Sequence, residues 1–127
     1  MVNLLLRFSV IVGLCGMVMG IVMGIRQDFS LAPAHAHLNL LGFVTLFLSG
    51  LYYRLVPLAA ASRIAQIHAA IAMIGAVVFP IGIGFAVLGD HQKTFPIVVT
   101  GALMVFAGML LFAFIVFRTS AIAPQRS

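Results

Sequence analysis

Four long apolar runs without Asp, Glu, Lys or Arg dominate this sequence of 127 residues. The runs are Phe8–Ile25, Leu38–Tyr53, Ile64–Leu88 and Thr94–Phe117. A helix that crosses a bilayer needs about 20 mostly apolar residues. The second run reaches that length when 34–37 and the aliphatic part of Arg54 are added. With 7% charged residues and a mean hydropathy of +1.26, the chain lacks the polar surface that a soluble domain needs.

The four runs predict an all-α, integral membrane four-helix bundle. We expect one transmembrane domain over residues 1–127, with helices at approximately 4–25, 33–55, 63–88 and 94–117. Short loops between the runs predict an up-down-up-down topology, because consecutive helices joined by short loops pack as antiparallel neighbours. Residues 121–127 are expected to form a short polar tail.

The charged residues predict the orientation of the bundle. One side of the four-span arrangement carries Arg7, Arg54, Arg63, Arg118 and Arg126. The other side carries Arg26, Lys93, Asp28 and Asp90. The positive-inside rule then places both termini in the cytoplasm, which is typical of a multi-pass protein of the bacterial inner membrane. Because the basic residues are scattered at segment ends, we expect lipid contact and no nucleic-acid binding.

Small residues are spaced for close helix packing. Gly16, Gly20 and Gly24 form a smooth ridge on the first helix, and such ridges let another helix approach closely. We expect a homo-oligomer or a subunit of a larger membrane complex, with this ridge, at Gly20, as a contact surface. A second interpretation is that the glycines make room for a flat macrocycle.

Two histidines stand at the outer end of the second predicted helix, where polar side chains at membrane depth are costly and indicate function. At about 100° per residue, one stripe is small and polar and is expected to face protein: His35, Asn39, Gly42, Leu46 and Ser49. The other histidine lies on an apolar face that would meet lipid or an apolar ligand: His37, Leu41, Val44, Leu48 and Leu51. One regular helix cannot easily bring both histidines to one metal ion.

Depth separates the four histidines of the chain. His68 lies near the inner end of the third helix, so at 1.5 Å per residue its depth differs from that of His37 by about 20 Å. These two residues cannot be axial ligands of one iron. His91 is in the second outer loop, on the same side as His35 and His37.

Three interpretations of the histidines remain open. Neutral imidazole is a common haem ligand, and an apolar space between helices suits the macrocycle. Alternatively, a copper or zinc ion could bind at the outer surface to a histidine and carboxylate set: His35, His91, Asp90 and Asp28. In the third interpretation, the histidines cap helices or contact lipid headgroups. His68 would then lie at the inner membrane interface.

The motif His37-Leu38-Asn39-Leu40-Leu41 resembles helix two of haem–copper oxidase subunit I, particularly the nitric oxide reductase branch with its His-Thr-Asn-apolar-apolar signature. The chain is also similar to short four-helix proteins described as oxidase subunit I-like. The resemblance implies that His37 is an axial ligand of a low-spin haem b near the outer side. The family's later helices, which carry the other metal ligands, have no counterpart in the four segments, so we do not expect catalysis by this chain alone.

The leading functional hypothesis is therefore a haem b-binding membrane protein for electron transfer or haem-dependent sensing. Its candidate binding residues are His37, His91, His35, Asn39 and Gly42. The second axial ligand would come from His91, from His35 or from another protomer, such as His37 of a second copy, or no residue would supply it. The alternatives are a non-catalytic accessory subunit of a larger respiratory or other membrane complex, and an outer-surface copper- or zinc-binding membrane protein.

Overall fold

A computed structural model describes residues 1–122, with only the backbone described for His91 and for residues 121 and 122. The end of the predicted polar tail, residues 123–127 with Arg126, lies outside the described part. Over the described residues the chain forms five helices: α1 (Val2–Arg26), α2 (Ala32–Leu55), α3 (Pro57–Ala60), α4 (Arg63–Leu88) and α5 (His91–Ile122).

Four of the helices, α1, α2, α4 and α5, are long and apolar enough to cross a membrane. The predicted all-α, multi-pass membrane bundle is therefore confirmed. The bounds of α1, α2 and α4 agree with the predicted bounds to within two residues, whereas α5 extends further at both ends. Each long helix packs against the next long helix along the chain, as short loops require.

The turn after α1 holds its carboxylate locally. Gln27 ends α1 in the left-handed conformation, with φ 52°. Asp28 then accepts hydrogen bonds from the Ser30 hydroxyl at 2.6 Å and from the Ser30 backbone N–H at 3.0 Å. These bonds stabilise the charged carboxylate and lower the pKa of Asp28 below its ordinary value, the hydroxyl bond having the largest effect.

Helices α4 and α5 form the tightest antiparallel pair, because glycines let their backbones meet. A Cβ added to Gly101 would lie 2.6 Å from Cα of Phe79. A Cβ added to Gly75 would lie 3.1 Å from the backbone N of Val105. Protein atoms fill the space beside these glycines. The glycines therefore serve close packing of this helix pair.

The glycine ridge of α1 is used in the same way, against α2. A Cβ added to Gly16 would overlap the amide of Asn39, and one added to Gly20 would lie 2.8 Å from Cε1 of His35. Only at Gly24 would an added Cβ meet no atom within 4 Å. The expectation that Gly20 offers a contact surface to another chain is wrong, because His35 of the same chain occupies that surface.

Candidate functional site

Helix α2 changes its hydrogen-bond pattern at the candidate site. It is α-helical over Ala32–His37, becomes π-helical over Leu38–Thr45, and returns to α-helix over Leu46–Leu55. The Asn39 side-chain amide donates to the backbone carbonyl of His35 at 2.9 Å. In a regular α-helix that carbonyl would pair with the Asn39 N–H, so this side chain competes with the backbone ladder. Sequence periodicity did not predict the π-helix, a form that is frequent at functional sites.

The side chain of His35 lies between its own helix, α2, and α1. Its Nδ1 is 3.3 Å from the amide nitrogen of Asn39, and its ring packs against Gly20. An amide nitrogen only donates, so Nδ1 of His35 is the acceptor and the ring proton is on Nε2. Ligation of a metal through Nε2 would require the other tautomer and would break the bond to Asn39.

The His37 ring packs against α4. Its Nδ1 lies 2.8 Å from the backbone carbonyl of Pro33, and this carbonyl can only accept, so Nδ1 carries the proton. The His37 ring also contacts the Phe79 ring edge to face, with centroids 4.9 Å apart and planes at 78°. Among the described residues, no protein group pairs with Nε2 of His37, so in the neutral ring the lone pair on this nitrogen is free.

The two neighbouring histidines thus have opposite tautomers. Metal-binding histidines almost always donate the second ring N–H to a carbonyl, carboxylate or water, which fixes the ring and makes the ligating nitrogen more basic. His37 has this arrangement through Pro33, whereas His35 does not. Of the two, His37 is the better prepared to bind a metal through Nε2.

The burial of the two predicted faces of α2 largely agrees with the prediction. In the predicted polar stripe, Gly42 and Ser49 are buried, and Gly42 lies so close to Val12 of α1 that an added Cβ would overlap it. The stripe therefore faces protein, as predicted, and leaves no space for a cofactor at Gly42. On the face of His37, Val44 and Leu48 are 41% and 58% exposed.

His68 occupies a very different environment. Its side chain is 2% exposed, its Nδ1 lies 2.8 Å from the hydroxyl of Tyr53, and its ring stacks on Phe112 with centroids 5.2 Å apart. The expectation that His68 meets headgroups at the inner interface is wrong, because the residue is in the bundle core. Spacing alone did not reveal this, since the partner Tyr53 is on another helix.

The predicted separation in depth between His37 and His68 is supported by the packing. His37 contacts Phe79, which is eleven residues from His68 on the continuous helix α4. At 1.5 Å per residue, this corresponds to about 16 Å along the helix. The two histidines therefore cannot bind one iron in a single chain.

The predicted outer-surface set is not assembled in the part of the chain that the structure describes. Asp28 is bonded to Ser30, while Asp90 pairs with Lys93 at 3.3 Å and accepts from the Gln92 N–H. No group of three His, Cys, Asp or Glu residues suited to a metal ion occurs within the described residues. The side chain of His91 lies outside that part.

Comparisons with models of known protein families, with curated proteins and with solved structures found no match to this chain. The resemblance of the His37–Leu41 motif to oxidase subunit I thus remains a prediction from the sequence. Any assignment of function depends on the chemistry of the site.

Proposed function

We propose that this protein binds haem b through Nε2 of His37 and serves electron transfer or haem-dependent sensing. The observation that carries the proposal is the hydrogen bond from Nδ1 of His37 to the Pro33 carbonyl at 2.8 Å. It places a ring proton on Nδ1, so in the neutral imidazole the lone pair is on Nε2, the form that binds haem iron.

The surroundings of His37 also suit a haem. The edge contact with Phe79 restrains the imidazole ring. Two exposed side chains farther along the predicted His37 face, Val44 and Leu48, are aliphatic and extend an apolar surface along the helix. When bound, haem supplies reversible one-electron chemistry or a site for a diatomic gas. The residues of this chain would hold it, orient the axial imidazole and exclude water.

The second axial position is the part of the site that separates the two activities. His35 is bonded to Asn39 on another face, and His68 is too deep. The remaining candidates are His91 and His37 of a second copy, which a symmetric parallel dimer would place at the same depth. A six-coordinate bis-histidine haem favours electron transfer, whereas a five-coordinate haem favours gas sensing.

The proposed location is the bacterial inner membrane, with both termini in the cytoplasm and the candidate haem site in the outer half. The charges support this orientation. Single cysteines at positions 62 and 93, introduced into a chain with Cys15→Ala, test it with an impermeant thiol reagent. We expect labelling from the outside at position 93. Labelling of position 62 from the outside would show the opposite topology.

Optical spectroscopy of the purified protein tests haem binding directly. We expect a Soret band, and we expect extraction of the pigment to identify haem b. The His37→Ala variant should lose or shift the band. The matched His35→Ala variant, two residues away on the same helix, should keep it. A band lost only in His35→Ala would move the ligand to the polar stripe.

The same preparation separates the alternative functions. A colourless protein that copurifies with large membrane partners would support the accessory subunit. A colourless protein with a stoichiometric, chelator-sensitive ion in elemental analysis would support the outer-surface copper or zinc site. Either result would overturn the haem proposal.

A further inference from the structure

The inner half of the bundle contains a buried polar group that the proposed haem site does not use. Tyr53 of α2 and His68 of α4 are 1% and 2% exposed and are hydrogen-bonded to each other at 2.8 Å. Phe112 of α5 stacks on the imidazole. An ionisable pair at membrane depth is costly unless its polar atoms are satisfied.

The Tyr53 hydroxyl determines the tautomer of His68. Its hydrogen-bond partner in the described structure is Nδ1 of His68. A buried hydroxyl proton needs an acceptor, so Tyr53 donates and Nδ1 accepts. The imidazole proton is then on Nε2, which has no hydrogen bond to a described residue. Because no fully buried side-chain nitrogen or oxygen lacks a partner in the described part of the chain, Nε2 retains access to the cavity that His68 lines. His68 therefore has the tautomer opposite to that of His37.

His68 lines a cavity that lies between α2, α4 and α5, with a volume of about 30 Å³. A cavity holds a water molecule when it is larger than about 10–15 Å³ and offers two to four polar partners. Two hydroxyl residues, Thr45 and Ser49, line the cavity together with His68. Both hydroxyls donate to backbone carbonyls, of Leu40 and Thr45 respectively, so their oxygens remain acceptors.

We propose that this cavity is a binding site for one water molecule, which accepts a hydrogen bond from Nε2–H of His68 and donates to the hydroxyl oxygens of Ser49 and Thr45. The water supplies the acceptor that His68 lacks. Tyr53, His68 and the water then form a continuous hydrogen-bonded chain inside the bundle, and every polar atom of the chain has a partner. The site is independent of haem at His37.

Solid-state NMR of the protein in lipid bilayers, labelled with ¹⁵N-histidine, tests the proposal. For His68 we expect an unprotonated Nδ1, a protonated Nε2 and magnetisation transfer from water to the Nε2 proton. His37 in haem-free protein serves as the internal comparison and should show a protonated Nδ1. The His68→Gln variant identifies the His68 signals.

One matched pair of variants and one milder variant make the test specific to the cavity. Ala72 lines the cavity and Ala70 is exposed on the same helix. Ala72→Leu should remove the water transfer, whereas Ala70→Leu should leave it unchanged. The milder Ser49→Ala change removes one acceptor and should weaken the transfer. A protonated Nδ1 of His68 in the unmodified protein, or a protonated Nε2 without water contact, would overturn the proposal.

Discussion

His37 and His68 belong to the same bundle, but the structure gives the two residues opposite properties. His37 donates its Nδ1 proton to Pro33 and keeps a free Nε2 at a partly exposed edge of α2. His68 accepts at Nδ1 from Tyr53 and is enclosed by three helices. The partner of Nδ1, rather than residue type or membrane depth, decides which histidine is prepared for a ligand and which one stabilises the core.

Replacement of the two histidines by leucine should give the largest contrast in stability. His68→Leu removes the partner of a buried hydroxyl and should lower the free energy of unfolding by about 2–3 kcal/mol, since an orphaned buried polar group costs about 1–3 kcal/mol. In the haem-free protein, His37→Leu should cost less than about 1 kcal/mol, because surface-edge substitutions usually have small effects. Unfolding in mixed detergent measures both. Equal losses of unfolding free energy in the two variants would contradict the distinction between a core histidine and an edge histidine.

The two adjacent tyrosines sharpen the same comparison. Tyr53→Phe leaves Nδ1 of His68 without a donor and should cost about 1–2 kcal/mol. Tyr52 is partly exposed and pairs with the Thr119 hydroxyl, so Tyr52→Phe should cost about 0.5–1 kcal/mol, as for an ordinary hydrogen bond. A larger loss from Tyr52→Phe would contradict the central role of the Tyr53–His68 pair.

The α1–α2 contact provides a third, smaller test at the outer end. Gly16→Ala would overlap the Asn39 amide. Because this amide is at the end of a flexible side chain, we expect a loss of about 1 kcal/mol, at the low end of overpacking effects. Gly24→Ala is the matched control on the same ridge, where an added Cβ meets open space. Unfolding measurements should show no loss for Gly24→Ala, and a loss there would show that α1 has another partner.

The smallest effect is expected at Asp28. Its pKa is lowered in the folded protein by the Ser30 hydrogen bonds, so its small stabilising contribution is present above the ordinary pKa of 3.8. That contribution is lost as the pH falls through the lowered, folded-state pKa. Comparison of unfolding between Asp28→Asn and the unmodified protein should show a difference at neutral pH that disappears in strong acid. A stability difference that grows as the pH falls would contradict the lowered pKa of Asp28.

The sequence was sufficient for the four spans and for the face of α2 that contacts protein, because apolar run length and helical periodicity determine both. It was insufficient for the π-helix at Leu38–Thr45, where the Asn39 side chain bonds a carbonyl that the regular backbone ladder would use. It also missed the Tyr53–His68 pair, since no local pattern reports which residues of two helices meet. The glycine ridge was recognised, but its partner inside the chain was not.

Chemical rescue with imidazole tests the central claim, ligation of haem iron by His37, most directly. His37→Gly and the matched His35→Gly variant are loaded with haem b, and the Soret and visible bands are recorded during titration with imidazole. We expect His37→Gly to lack the spectrum of the unmodified protein and to regain it with added imidazole, while His35→Gly has that spectrum from the start. An unaltered spectrum in His37→Gly without imidazole would contradict the assignment.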